Sequence, residues 1–147
     1  MFTRKEIFEL LKKYVKSESL LRHSFAVEAG MIAYAKKYGE DVDEWETVGL
    51  LHDIDFELYP GIHPLKSVDI LTEAGYSEEF VNAVKGHFDD TNTKRETKMA
   101  KTLHAVDEFA SFTVTVALMR PTKLEGIKYK SSKKSCWRIR WRFHGTC

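Results

Sequence analysis

The chain has 147 residues, which is enough for one domain with a sizeable core. Hydrophobic residues make up 43% and charged residues 31%, as in an ordinary globular protein, and no stretch approaches the roughly 18 consecutive apolar residues of a membrane span. The only cysteines, Cys136 and Cys147, exclude a disulfide framework. The N-terminus shows no signal-peptide pattern, so we expect a cytoplasmic protein without membrane partners.

The net charge of +1 is unevenly spread. Residues 1–120 carry 15 basic against 21 acidic side chains, a balance of −6, whereas residues 121–147 carry 8 against 1, a balance of +7. We therefore predict a domain at 1–125 and an atypical basic, aromatic tail at 126–147. The tail suits either a nucleic-acid-binding strip or a segment without selected function, and the second interpretation is favoured. The acidic balance of the domain argues against a nucleic-acid partner.

Capping patterns and apolar periodicity predict three helices in the first part of the chain. The sequence TRKE at 3–6 is a capping box that opens a helix to about Lys16. A second helix is expected over 19–38, ending at Gly39, a residue suited to a helix C-terminus. The third helix is expected to begin at about Asp43 and to contain the sequence VGLLHD.

The remaining segments predict further helices and no sheet. A loop is expected at 54–63, followed by a helix from 64 to 75 whose first turn holds a proline. Ser77 is expected to cap the next helix, and a long helix is expected from about 97 to 120. The β-branched run TVTVA at 113–117 is assigned to this helix, because no second strand exists to pair with it. The predicted fold class is all-α, a single-domain helical bundle.

Six histidine and aspartate side chains interrupt the apolar faces or the ends of these helices: His23, His52, Asp53, His63, His87 and Asp107. A single buried histidine is usually a hydrogen-bonded core residue, and a buried aspartate needs a partner even more strongly. One or two shared divalent cations would satisfy all six side chains together. Imidazole and carboxylate ligands suit iron, manganese, cobalt or zinc, and the absence of nearby cysteine argues against a structural zinc site.

The order H…HD…H…H…D resembles that of the HD-domain superfamily of metal-dependent phosphohydrolases over about residues 18–125. The contexts LRHS, LLHDID, HP and GH agree with it, and the resemblance implies a helical bundle with an interior metal site. It further implies a first metal ion held by His23, His52, Asp53 and Asp107. A second ion would be completed by His63 and His87, with Asp53 as the bridge. Iron or manganese is favoured, with cobalt, nickel, magnesium and zinc as alternatives.

The residues after the HD pair narrow the resemblance. Cyclic-dinucleotide phosphodiesterases of the superfamily continue with Ile-Gly-Lys and carry a GYP motif, whereas this chain continues with Ile54-Asp55-Phe56 and has no GYP. Small stand-alone bacterial and archaeal members are more similar. The resemblance implies hydrolysis of a phosphoester or phosphoanhydride bond, with a nucleotide as the favoured substrate, a metal-activated water, and His52 and Asp53 at the catalytic centre.

Several roles around the site are left as alternatives. Candidate substrate-binding bases are Arg22, Lys66 and Arg120, with Lys123 beside the last, although each also suits a solvated surface charge. Asp55 and Glu57 suit either hydrogen-bond partners of the ligands or, as favoured here, exposed loop acids. Two functions remain as alternatives to the hydrolase: a regulatory module that binds a nucleotide or metal without turnover, and a di-iron oxygenase of the same superfamily. A homo-oligomer is left open.

Overall fold

The computed structural model describes residues 2–126 of the chain. It contains the helices α1 (Arg4–Tyr14), α2 (Glu18–Tyr38), α3 (Val42–Leu51), α4 (Leu65–Glu73), α5 (Glu78–Gly86) and α6 (Lys98–Leu118). Single turns of 3-10 helix lie at Pro60–Ile62 and Asp89–Thr91. No strand occurs in the described residues, so the predicted all-α fold class is confirmed, and the run TVTVA belongs to α6 as predicted.

The helix ends follow the capping chemistry of the sequence. Thr3 and Glu6 form the predicted capping box, and Gly39 ends α2 in the left-handed region at a φ of 70°. Ser17 and Asp41 cap α2 and α3, because their side-chain oxygens accept hydrogen bonds from backbone N–H groups of the first turn. Each helix therefore begins one residue before its predicted start.

The chain divides within α6 into two compact units, residues 1–108 and 109–147. In the first unit, α2 and α3 pack along each other, and α4 packs on α5. Each helix of that unit contributes fully buried side chains to its core: Leu11, Met31, Leu50, Leu51, Leu71, Phe80 and Leu103. Burial of such side chains is the main stabilising contribution of the unit.

Of the second unit, the structure describes residues 109–126, which comprise the end of α6 and a following turn. Arg120 donates a hydrogen bond to the Glu125 carbonyl oxygen within that turn at 3.2 Å. The predicted limits 1–125 and 126–147 stay predictions, because almost all of the tail lies outside the described residues. Among residues 2–126, no helix has both the length and the apolar character needed to cross a membrane.

Candidate metal centre

The six predicted metal ligands come together in the first unit. His23 lies on α2 and Asp107 on α6, whereas the other four lie where helices end or in connections. His52 and Asp53 directly follow α3, and His87 is the C-cap of α5. His63 follows the first 3-10 turn. The six polar side chains thus meet at one place in the first unit, although they come from different segments.

The first donor set consists of His23, His52, Asp107 and the Oδ2 atom of Asp53. The Nε2 atom of His23 lies 3.2 Å from Nε2 of His52 and 3.0 Å from Oδ1 of Asp107. Oδ2 of Asp53 lies 3.7 Å from Nε2 of His23 and 3.4 Å from Nε2 of His52. The ligand atoms of His23, His52 and Asp107 lie within 4.8 Å of one another, and Oδ2 of Asp53 lies beside the two histidine nitrogens.

The second donor set lies on the other side of the same carboxylate. The Oδ1 atom of Asp53 is 3.5 Å from Nε2 of His63 and 3.4 Å from Nε2 of His87. The two oxygen atoms of Asp53 therefore face different pairs of histidines. This division is the arrangement expected of a carboxylate that bridges two cations.

The spacing within both sets fits transition-metal coordination. Metal–nitrogen bonds of about 2.0–2.1 Å place neighbouring ligand atoms about 3.0 Å apart in octahedral and about 3.4 Å apart in tetrahedral geometry. The donor separations given above span 3.0–3.7 Å. Two imidazole nitrogens only 3.2 Å apart also need a proton or a cation between them, since their lone pairs would otherwise repel each other. The residues present therefore fit divalent cations.

Hydrogen bonds to the opposite ring nitrogens orient three of the histidines. Nδ1 of His52 donates to the Gly49 carbonyl oxygen at 2.8 Å, and Nδ1 of His87 donates to the Val84 carbonyl oxygen. Because a carbonyl oxygen can only accept, both rings carry their proton on Nδ1. The Nε2 lone pair of each ring is consequently free to bind a metal ion.

Asp55 provides the same orientation for His63, against the favoured expectation of an exposed loop acid. It is fully buried, and its Oδ1 accepts a hydrogen bond from Nδ1 of His63 at 2.6 Å. Its Oδ2 accepts a second from the Ser67 backbone N–H at 2.9 Å. Burial alone would raise the pKa of Asp55, but the hydrogen bonds from His63 and Ser67 lower it.

Glu57 has a different role from Asp55. It accepts hydrogen bonds from the backbone N–H groups of Lys16 and Ser17, both at 2.8 Å, and so ties the α1–α2 connection to the segment after α3. These bonds lower the pKa of Glu57. It is a structural acid of the connection rather than a partner of the ligands.

The charges of the first donor set are strongly coupled in the absence of a cation. Burial opposes protonation of His52, but the carboxylates of Asp53 and Asp107 outweigh it and raise the pKa of His52 to about 10. Burial also disfavours ionised Asp53 and Asp107, but contacts with the histidines hold the pKa of each well below its usual value. The set therefore holds positive charge at neutral pH, as a proton or as a metal ion.

Two of the three predicted substrate-binding bases are engaged in ion pairs of their own. Arg22 contacts Glu18 one turn earlier at 2.6 Å, and Lys66 contacts Asp69 at 3.0 Å. Arg120 belongs to the second unit. Binding of substrate by these three residues stays a prediction.

Other features of the first unit bear on where the chemistry lies. His104 donates from Nδ1 to the His87 carbonyl oxygen at 2.8 Å, and thereby holds the segment that carries a predicted ligand. Asp89, two residues after His87, pairs with Arg95. A hollow of about 580 Å³ opens beside Arg4, Glu44 and Tyr76, but none of the six predicted ligands lines it. We therefore place the candidate site at the two donor sets.

Comparison with known proteins identifies the family. The family model of the HD domain matches residues 20–111, which contain all six predicted ligands. No solved structure matches the chain.

Curated relatives match only in part. Ribonuclease Y of Rhodopirellula baltica is 42% identical over 84 residues, which are 53% of this chain and 16% of that protein. Ribonuclease Y of Nitratidesulfovibrio vulgaris is 32% identical over 98 residues, covering 64% and 18%. A tRNA (cytidine(56)-2'-O)-methyltransferase of Thermoplasma volcanium is 35% identical over 80 residues, covering 54% and 24%. The chain thus spans less than a quarter of the length of each of these relatives.

The family match covers more than half of the chain, and the fold and the donor geometry agree with it. The resemblance inferred from the order of histidines and aspartates is confirmed: the chain belongs to the HD domain family, which is part of the superfamily of metal-dependent phosphohydrolases.

Proposed function

We propose that this chain hydrolyses a phosphoester or phosphoanhydride bond of a small phosphorylated compound, with a nucleotide as the favoured substrate class. The supporting observation is the carboxylate of Asp53, whose two oxygens face two separate sets of histidine nitrogens. Such a carboxylate suits a centre with two divalent ions, and paired ions stabilise the attacking and leaving oxygens in phosphatases, polymerases and nucleases.

The residues of each set have distinct duties in this proposal. His23, His52, Asp53 and Asp107 would hold one ion, and Asp53, His63 and His87 would hold the other. When bound, such ions lower the pKa of a water molecule and stabilise negative charge on phosphoryl oxygens. The hydrogen bonds of the Nδ1 atoms keep the histidine rings fixed, so the donor atoms need little rearrangement on binding.

A phosphodiester bond of RNA is the second candidate substrate. The names of two partial relatives, at 42% and 32% identity, favour it. The surplus of acidic over basic residues in 1–120, 21 against 15, weighs against a long nucleic acid. A panel of substrates therefore has to include nucleotides, dinucleoside polyphosphates and short RNA.

The test is replacement of Asp53 by Ala in the full chain. We expect both donor sets to lose metal. Mass spectrometry after loading with manganese or iron measures the metal content. Hydrolysis of the best substrate of the panel is expected to fall at least about a hundredfold, since loss of a metal-centre partner typically costs 10–100-fold and a bridging ligand serves both ions.

His87→Ala serves as the comparison variant, because Nε2 of His87 lies beside Oδ1 of Asp53, the oxygen that faces the second set. Its loss is expected to reduce the metal content by one ion rather than two. Unchanged metal content and hydrolysis in Asp53→Ala would contradict the site. Metal binding without any turnover would favour the regulatory module. Oxygen consumption with a mixed-valent di-iron signal would favour the oxygenase.

A further inference from the structure

Two exposed aromatic rings, from different segments of the chain, contact the same predicted metal ligand. The Phe56 ring contacts His63 edge to face, with centroids 5.1 Å apart and an interplanar angle of 83°. The Phe88 ring contacts the same histidine at 5.4 Å and 67°. Phe56 is 47% exposed and Phe88 41% exposed, although both touch a nearly buried side chain. An aromatic surface therefore borders the second donor set from two directions.

Main-chain atoms of both residues form hydrogen bonds that do not involve the rings. The backbone of Phe56 donates to the Asp53 carbonyl oxygen at 3.0 Å, and the carbonyl oxygen of Phe88 accepts from the Thr91 hydroxyl at 2.9 Å. These bonds run through the main chain and would survive loss of either ring. Among residues 2–126, the aromatic neighbours of the two rings are His63 and His87 alone. Solvent exposure of both rings thus leaves surface for a planar partner.

We propose that Phe56 and Phe88 form a stacking site for the base of a nucleotide whose phosphate lies at the donor sets. This inference rests on the proposed function and specifies what is recognised beyond the phosphate. Stacking on an aromatic face stabilises a bound base whichever of the bases it is. The position of the rings matters more than their hydrophobicity: both touch a ligand histidine, so a stacked base has its phosphate within reach of the donor atoms.

The competing occupant is a second copy of the chain. The same connection exposes further apolar side chains, Leu58, Tyr59, Ile62 and Leu65, and a surface of this kind suits association between copies. Such association would cover the rings without regard to a base. The test therefore has to separate recognition of a base from a change in oligomeric state.

The experiment measures binding by the manganese-loaded full chain at equilibrium. The ligands are the phosphonate analogues of adenosine monophosphate and of ribose 5-phosphate, which differ only in the base, together with a phosphorothioate pentaadenylate. We expect the adenosine ligand to bind at least about tenfold more tightly than the base-free ligand. The ratio of the two affinities should fall to near one in Phe56→Ala and in Phe88→Ala. Phe88→Trp, which keeps an aromatic ring at this position, should retain the ratio of the unaltered chain.

Phe25→Ala is the matched control. Phe25 is 39% exposed and stacks on Phe8 at 6.1 Å, so it too is a half-exposed ring in an aromatic pair. It lies two positions after His23 on α2 and therefore projects roughly 200° away from that ligand. The preference for the base should persist in this variant. Relative affinities of the adenosine analogue and the pentaadenylate then distinguish a free nucleotide from the end of an RNA as the source of the base.

Equal binding of the two phosphonates to the unaltered chain would overturn the stacking site. Phosphate release from base-free esters would in that case still support the proposed hydrolase. A change in oligomeric state of Phe56→Ala and Phe88→Ala, measured by light scattering, with the base preference intact would also overturn it and would assign the surface to a second copy. Failure to bind any phosphonate, with no phosphate release from any substrate, would remove both proposals.

Discussion

Asp55 lies two residues after the predicted bridge Asp53 and differs from it in what its oxygens contact. One oxygen accepts from His63 and the other from the backbone of Ser67, so the side chain is fully satisfied although it is buried. The sequence places Asp55 in a connection that also contains Pro60 and Gly61, where acids are usually exposed. Burial depended on how the connection turns back towards α4, and no local pattern in the sequence encodes that turn.

Asp53 illustrates the opposite case at the same scale. The apolar run before it and the other polar residues on apolar faces were sufficient to select it as a candidate ligand from the sequence. The structure adds that its two oxygens divide between two sets of histidines, which requires side-chain orientations that residue spacing does not contain.

Replacement of Asp55 by Asn tests its orienting role. The two carboxylate oxygens of Asp55 accept from His63 and from the Ser67 backbone N–H, whereas the amide has only one accepting oxygen. One of the two hydrogen bonds is therefore lost, and we expect the His63 ring to lose its fixed orientation. We expect the affinity for the second metal ion to fall about 10–100-fold, the usual effect of losing a hydrogen-bond partner of a ligand. Isothermal titration with manganese measures this, and the affinity for the first ion should change much less.

Glu57→Gln is the matched control for that prediction, because it is the same acid-to-amide change two residues later. Glu57 contacts the backbone of Lys16 and Ser17 and none of the ligands. Its replacement should lower thermal stability without changing the metal affinities. Equal loss of metal in the two variants would mean that Asp55 acts through the general fold of the connection.

At the scale of the elements, the sequence predicted all six helices and their order. Caps and glycine stops are local, so Thr3, Ser77 and Gly39 are found at helix ends where the pattern placed them. The helices α2 and α3 begin one residue before the predicted positions, because Ser17 and Asp41 accept the first-turn hydrogen bonds, which the sequence pattern alone does not assign. Close helix packing was not predictable, since it depends on contacts between distant segments.

Gly49 marks a close approach of α3 to the backbone of α2. A Cβ atom at this position would lie 2.8 Å from the Cα atom of Glu28 on α2, and a backbone atom cannot move aside cheaply. Gly49→Ala should therefore separate α3 from α2 and destabilise the fold by about 1–3 kcal/mol. The Gly49 carbonyl oxygen also accepts from His52, so the first-site metal affinity should fall as well. Thermal denaturation and metal titration measure the two effects.

Gly61→Ala provides the comparison for that change. No atom lies within 4 Å of the position a Cβ would take at Gly61, so the variant should retain both stability and metal affinity. A Gly49→Ala variant as stable as Gly61→Ala would show that α2 and α3 can separate without cost, against the packing described above.

At the scale of the whole molecule, the buried charge cluster links stability to pH and to metal. Without metal, His52 has a pKa of about 10, above its unfolded value of about 6.5, so its contribution is complete below about pH 6.5 and is lost as the pH rises towards 10. The pKa values of Asp53 and Asp107 are lowered, so their contributions are complete above about pH 4 and are lost as the pH falls below it.

The metal-free chain should therefore be most stable between about pH 4 and 6.5, and its melting temperature should fall by at least about 5 °C between pH 6.5 and 9.5. A bound metal ion takes the place of the proton on His52, so the loaded chain should keep its stability over that range. Thermal denaturation of chelator-treated and manganese-loaded protein, scanned across pH, measures both curves. Parallel curves would mean that the cluster does not carry the pH dependence.

The same exchange makes metal binding release protons. At pH 7.5 the metal-free His52 is protonated, whereas a metal ligand must be neutral, so binding should release close to one proton from this residue. Titration calorimetry in two buffers of different ionisation enthalpy counts the protons released, and His52→Gln should release correspondingly fewer. The number of protons released reports the charge on the donor set directly. Release of about one proton that depends on His52 indicates an exchange of proton for metal at this residue. Stabilisation by metal without proton release would instead arise elsewhere in the fold.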